Sequence, residues 1–250
     1  MTTIQNYQAA PGILKDRIIL ITGAGNGIGA CVAKTCAAHG ATVILLDKSI
    51  PSLETVYDQI EQAGHPQPAI IPADLAGATP ADYDNIIATI EKEFGHLDGL
   101  LHNATFFANR SPIEQYSLEE WNQAMQINLT APFLLTRACL PLLKKSADAA
   151  IIFTTAAVAR HGKAYWGAYG ISNAAIENLM QTLADETENN TQIRVNSVDP
   201  GAVKTALWVK VYPGLDPNTW AKPEDIMNGY LYLLGPDSKG ITGEQFSLQS

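Results

Sequence analysis

The chain has 250 residues, of which 46% are hydrophobic and 16% charged, and its net charge is −9. This length suits one large α/β domain or two small ones, and it suffices to bury roughly three quarters of the unfolded surface. An acidic balance without any Lys/Arg run argues against nucleic acid and anionic membrane as partners, and the longest apolar run, Ile151 to Ala159, is too short to span a bilayer.

The opening "MTTIQNYQAAPGILKD" lacks the basic and apolar regions of a signal peptide. Residues 1–15 read as an arm and residues 16–250 as a single domain. From Arg17 onward, short runs rich in Ile, Val and Leu alternate with amphipathic stretches. The runs are "RIILIT", "ATVILLD", "PAIIPAD", "LDGLLHNA", "AAIIFTT" and "IRVNSVDPG". Such runs suit strands buried on both faces. Helices are expected over Ile28–His39, Ser52–Ala63, Ala81–Phe94, Leu118–Lys145 and Ala168–Glu188, and "KPED" announces another near Pro223. This alternation predicts an α/β fold with a doubly wound parallel sheet of about seven strands. No linker or repeat divides it. Residues 204–222 read as an irregular loop at the carboxyl edge of the sheet, where this architecture binds ligands.

Cys31, Cys36 and Cys139 form no paired framework and no Cys/His cluster has metal-ligand spacing, so reduced, buried thiols and a cytoplasmic protein are expected.

"ITGAGNGIGA" directly follows the first long strand and opens a helix. Gly23, Gly27 and Gly29 allow a tight turn, with backbone close to a pyrophosphate and a helix N-terminus aimed at it. The next strand ends at Asp47, about 20 residues on, where an acid holds adenosine ribose hydroxyls. An ordinary glycine-rich turn is the bland alternative, and the placed acid argues against it. Asp47 repels a 2′-phosphate, so NAD is favoured over NADP, with Lys48 the one neighbour able to soften this. Asp74 either caps the adenine edge or starts a turn. To this point a methyltransferase that uses S-adenosylmethionine fits nearly as well.

"TGAGNGIG", "HNA" at His102 to Ala104, "INL" around Asn128, Tyr169 and "DPGAVKT" at Asp199 to Thr205 occur in order at characteristic intervals. From Leu14 to Phe246 the chain resembles the short-chain dehydrogenase/reductase family in its single-domain Rossmann form. "RHGKAYWGAY" and "LADE" more narrowly resemble the YciK-type bacterial oxidoreductases. The resemblance implies hydride transfer between a nicotinamide cofactor and a small-molecule alcohol or carbonyl, in a homodimer or homotetramer. It assigns Gly23, Gly27, Ile28, Gly29, Asp47, Asp74, Leu75, Asn103, Ala104, Tyr169, Asn173, Pro200, Gly201 and Thr205 to the cofactor. Asn128 matches the residue that holds a helix kink and a relay water, and Tyr169 matches the acid/base.

Two positions depart from the family pattern. The family's catalytic Ser, 13 residues before the Tyr, is Ala156, and its Lys, four residues after, is Asn173. A unit charge about 4 Å away is worth roughly 4 kcal/mol at an effective dielectric of about 20, or about three pKa units. Without that cation Tyr169 should titrate nearer the ordinary value of about 10. Asn173 can still hydrogen-bond a ribose hydroxyl. Thr155, Thr154 and Ser111 are candidate stand-ins for the missing hydroxyl, and Lys163 and Lys204 for the missing charge. His102 and Thr105 depart from the commoner wording of their motif and read as tolerable. Phe106, Phe107, Trp166, Trp208, Tyr212 and Trp220 border the expected substrate pocket, as stacking surfaces or as packing. The expected function is an NAD(H)-binding oxidoreductase of very low activity. The alternatives are a cofactor-binding pseudoenzyme that acts as sensor or assembly partner, and a structural subunit without nucleotide.

Overall fold

The computed structural model describes residues 2–4 and 7–249. Its strands are β1 (Thr2–Thr3), β2 (Ile18–Thr22), β3 (Thr42–Asp47), β4 (Ala69–Pro72), β5 (Gly99–His102), β6 (Ala149–Thr154), β7 (Ile193–Asp199) and β8 (Gln245–Ser247). Its helices are α1 (Gly27–Ala38), α2 (Ile50–Gln62), α3 (Pro80–Phe94), α4 (Leu118–Met125), α5 (Ala131–Leu143), α6 (Gly167–Glu188), α7 (Ala206–Val211) and α8 (Met227–Leu234). The strands form one sheet in the order β1-β8-β7-β6-β5-β2-β3-β4, and every neighbouring pair is parallel.

Side chains alternate across a pleated sheet, so each buried strand feeds two cores. Ile19, Ile21, Val43 and Leu45 pack with α1, α2 and α8 through Val32, Leu53 and Tyr230. Leu20, Ile44, Leu46 and Phe153 pack on the other face with α3, α5 and α6 through Tyr83, Leu135 and Met180. The direction of winding reverses between β2 and β5, which opens a crevice at the carboxyl ends of the strands.

Local chemistry sets the helix boundaries. The Thr79 N–H donates to the Asp82 carboxylate at 2.7 Å in a capping box, with Pro80 in the first turn, and Gly95 ends α3 at φ +79°. The Ser49 hydroxyl accepts the Ser52 N–H and starts α2.

At the amino edge of the sheet, opposite the crevice, Asp148 joins Arg194 Nε and Arg17 Nη1, each at 3.0 Å. Burial alone would raise the Asp148 carboxyl, but Arg194 and Arg17 outweigh it and hold the pKa below the ordinary value. Arg194 also donates to the carbonyls of Leu233 and Gly235, both at 3.0 Å, so this cluster ties β7 to the end of α8.

Several expectations change. The sheet has eight strands, because Thr2–Thr3 of the expected arm pairs with Phe246 and Ser247, and Leu14 is fully buried. The stretch 118–145 is not one regular helix: a π-helical turn, Gln126–Thr130, separates α4 from α5. Residues 204–222 are not an irregular loop, since they hold α7 and a 3-10 turn at Pro217–Thr219. The helix near Pro223 begins as a 3-10 turn before α8. Cys31, Cys36 and Cys139 are buried and unbridged, and burial pushes the Cys31 and Cys36 thiols up to about 11 and about 12. Among the described residues no helix is long and apolar enough to cross a membrane, and no cluster of three His, Cys, Asp or Glu is placed to hold a metal.

Candidate nucleotide and substrate site

The glycine turn after β2 is built for close backbone approach. Gly23 has φ +66° and a Cβ there would meet Ala104 Cα at 2.9 Å. A Cβ on Gly29 would collide with the Gly23 carbonyl and meet Asn103 Nδ2 at 2.6 Å. Gly27 has φ +54°, and a Cβ there would touch the Thr205 methyl at 3.4 Å. α1 starts with no side-chain cap and no acid in its first turn, leaving its first N–H groups for an anion. These features fit a dinucleotide pyrophosphate. The Asp47 carboxylate accepts the N–H of Gly25 at 3.2 Å and of Ser49 at 3.1 Å, fixed at the end of β3. Asp74 accepts the Ala76 N–H at 3.1 Å and starts a turn, while Leu75 is buried in the core. Neither residue lines the crevice cavity.

That cavity is about 550 Å³. Gly23, Gly27, Ile28, Asn103 and Ala104 line one side, and Pro200, Gly201 and Thr205 the other. Val158, Trp166, Leu207, Trp208 and Tyr212 make its outer part apolar. Phe107 packs against both Trp166 and Tyr169, and Trp220 meets Trp208 edge to face without reaching the cavity. The Arg110 guanidinium lies 4.9 Å from the Trp166 ring and 4.2 Å from the Tyr212 ring. Lys210 of α7 donates to the Phe107 carbonyl at 3.0 Å, so the 206–211 helix roofs the cavity.

Tyr169, in the first turn of α6, lies on the cavity floor and is 7% exposed. Burial pushes its hydroxyl up to about 12, the Asp199 carboxylate adds to this, and a hydrogen bond with the Thr105 hydroxyl opposes it. The expected titration near 10 is therefore too low: a missing cation removes one effect, but burial adds another of the opposite sign. Asn173 does not reach toward a ribose. Its side-chain amide donates to the Tyr169 carbonyl at 2.8 Å, one turn back along α6. It borders a second, very small cavity with Asn128, Pro132 and Ile176.

Asn128 lies within the π turn and uses all four hydrogen-bonding positions of its amide. Its oxygen accepts Phe106 N–H at 2.7 Å and Thr105 Oγ1 at 3.3 Å; its nitrogen donates to the Phe106 carbonyl at 2.9 Å and Ser172 Oγ at 3.1 Å. Thr22 Oγ1 accepts the N–H groups of Asn103 and Ala104 at 3.0 and 3.1 Å, and Asn103 Nδ2 donates back to the Thr22 carbonyl. His102 is buried against Phe153 with Thr136 at 2.8 Å, and burial lowers its pKa to about 3.

The candidate stand-ins separate clearly. Ala156 presents a methyl to the cavity. Thr155 donates its hydroxyl to Glu177 at 2.7 Å, Thr154 pairs with Tyr230, and Ser111 turns to the Pro112 carbonyl. Lys204 donates to Asn218 at 2.8 Å outside the cavity, whereas Lys163 lines it. Sequence reasoning missed a charged cluster beneath the floor: Glu177 accepts from Thr155 and Ser197, and Arg160 pairs with Asp199 and lies 3.7 Å from Glu177. Its one sequence signal is the repeat of Tyr169, Asn173 and Glu177 at four-residue spacing, one face of a helix.

A parallel sheet wound in both directions, with a glycine turn at the point of reversal and a Tyr-bearing helix beside it, defines an α/β protein of the Rossmann type. The short chain dehydrogenase family model matches residues 17–215, and the chain belongs to that family. It is 41% identical over 244 residues to the oxidoreductase YciK of Escherichia coli, covering 98% of this chain and 96% of YciK. A short chain dehydrogenase from Pseudomonas syringae superposes with a TM-score of 0.97 at 52% identity, covering 98% of this chain and all of that one. A short chain dehydrogenase from Shigella flexneri, complexed with NADP, superposes with a TM-score of 0.93 at 41% identity, covering 96% of this chain and all of that one.

Proposed function

We propose that this protein is a slow nicotinamide-dependent oxidoreductase for an alcohol or carbonyl carried on an apolar body. The observation that carries this reading is the Tyr169 hydroxyl in the cavity floor, between the glycine turn and Pro200-Gly201, with Ala156 in place of a hydroxyl donor. A nicotinamide cofactor bound here would supply or accept the hydride. Gly23, Gly27, Ile28 and Gly29 would hold its pyrophosphate, Asp47 its adenosine ribose, and Asn103, Ala104, Pro200, Gly201 and Thr205 its nicotinamide end. Tyr169 exchanges a proton with the substrate oxygen at its hydroxyl. Asn128 acts by fixing the 105–106 backbone and Ser172. The roof of Trp208 and Tyr212, tied down through Lys210, excludes water from the reacting centre.

The preferred cofactor is NAD(H), a reading supported by the acid at the end of β3, whose charge would repel a 2′-phosphate. NADP(H) is the second reading, supported by the NADP complex of the Shigella relative and by the donors around Asp47: Lys48, Ser49, Ser52 and Asn26. Fluorescence titration with NADH and NADPH decides between them. NADH should bind at least tenfold more tightly, and a reversed ratio overturns the assignment. Micromolar binding with no turnover on a broad ketone panel would instead favour a sensor. The protein acts in the cytoplasm as a homo-oligomer, a reading supported by the unbridged thiols and by exposed Phe133 and Ile171 on α5 and α6.

A further inference from the structure

Among the side chains lining the cavity, six carry hydroxyls: Thr105, Thr154, Thr155, Tyr169, Thr205 and Tyr212. Thr154 and Thr155 are engaged by Tyr230 and Glu177. Thr205 accepts the Trp208 N–H at the start of α7, on the wall that faces Gly27. The Tyr212 ring lies under Arg110 in the roof. Thr105 is exposed and lines the cavity together with Tyr169, and of these hydroxyls it is the one that pulls the Tyr169 pKa down.

The backbone that carries Thr105 is pinned on both sides. Ala104 N–H donates to Thr22 Oγ1 at 3.1 Å, and Phe106 is gripped by Asn128 at both its N–H and its carbonyl. The hydroxyl's bond to Asn128 Oδ1 is long, at 3.3 Å, and that oxygen keeps the shorter bond from Phe106 N–H at 2.7 Å. Thr105 can therefore turn its proton to a ligand without leaving a buried acceptor unpaired. A pinned donor aimed where charge develops on a substrate oxygen needs no reorganisation during reaction.

We propose that Thr105 is a catalytic residue of this site, its hydroxyl donating a hydrogen bond to the substrate oxygen opposite Tyr169, from the β5 wall, where Ala156 on the β6 wall cannot. The inference rests on the oxidoreductase reading above. The substrate oxygen is then held by two hydroxyls, one that transfers a proton and one that only donates a bond. Removing one such donor typically costs about 10²–10³ in rate.

The test compares Thr105→Val, nearly isosteric, with Thr105→Ser. Ketone reduction by NADH is measured on aryl and alicyclic ketones, together with NADH affinity and the thermal midpoint as controls for folding. In parallel, 3-fluorotyrosine is incorporated, and the Tyr169 fluorine resonance, assigned by its loss in Tyr169→Phe, is titrated with pH. Thr105→Val should lower kcat at least tenfold with NADH affinity unchanged and raise the Tyr169 midpoint by half a pH unit or more. Thr105→Ser should restore both. An active parent whose Thr105→Val variant keeps its rate and its Tyr169 midpoint overturns the proposal alone. A parent that reduces no ketone overturns the oxidoreductase reading, and this inference falls with it.

Discussion

Tyr169 and Asn173 lie four residues apart on α6, and their surroundings set the chemistry more than their identities do. Asn173 satisfies its amide within the helix, so it offers Tyr169 neither charge nor a bond to its hydroxyl. Burial then dominates and pushes the phenol up to about 12. Alcohol oxidation needs the phenolate as base, so its kcat should climb about tenfold per pH unit through pH 10 without a plateau. Carbonyl reduction uses the phenol as acid, and its rate should stay flat over the same range. Asn173→Lys, with Ala156→Ser to restore the donor, should bring the oxidation limb down by a pH unit or more and raise ketone reduction at neutral pH. A parent plateau below pH 9, or a double variant no faster than the parent, contradicts this account.

At the scale of elements, the crossing of β2, α1 and the segment after β5 is set by two absent side chains. The Gly23 carbonyl and the Asn103 amide occupy the space where a Gly29 Cβ would stand, and neither is the end of a flexible chain free to give way. Gly29→Ala should weaken NADH binding at least a hundredfold or prevent folding, measured by titration and circular dichroism. Gly77→Ala, where a Cβ meets nothing within 4 Å, should leave both unchanged. Equal effects of the two would show that close approach does not explain the glycine. The π turn also belongs to this scale. It places Asn128 where its amide closes on Phe106 and Ser172, so the segment bearing Thr105 inherits its rigidity from a helix distortion.

At the scale of the whole molecule, the edge of the sheet opposite the site carries a charged anchor. Arg194 is buried and gains its balance from Asp148, which also meets Arg17. Asp148→Ala leaves Arg194 buried without its carboxylate, which typically costs about 3–5 kcal/mol. At about 2–4 °C per kcal/mol for a chain of this size, the thermal midpoint should fall by about 6–20 °C. The sign with pH follows from the lowered Asp148 pKa: its contribution is present above the unfolded carboxyl range and is lost as pH falls through the folded value. The difference in stability between parent and variant should therefore shrink on acidification, and a difference independent of pH would sink this assignment.

The doubly wound sheet, the glycine turn, Asp47 at the end of β3 and the order of the motifs are legible in the chain, because each is written in local periodicity or spacing. Resemblance to a family also located Tyr169, Asn128, Ala156 and Asn173. Where their hydrogen bonds go depends on contacts between distant parts of the chain. Thr155 belongs to Glu177, Asn173 to its own helix, and Thr105 to Tyr169 and Asn128. Thr105 read as a tolerable departure because its motif names the strand end and not the hydroxyl it faces 64 residues further along. The raised Tyr169 pKa was illegible for the same reason: burial is summed over every element packed around a group, and no window of sequence contains that sum. The roof over residues 206–211 read as loop because six residues are too few for a periodic signal, and contacts with Phe107 and Arg110 hold it as a helix.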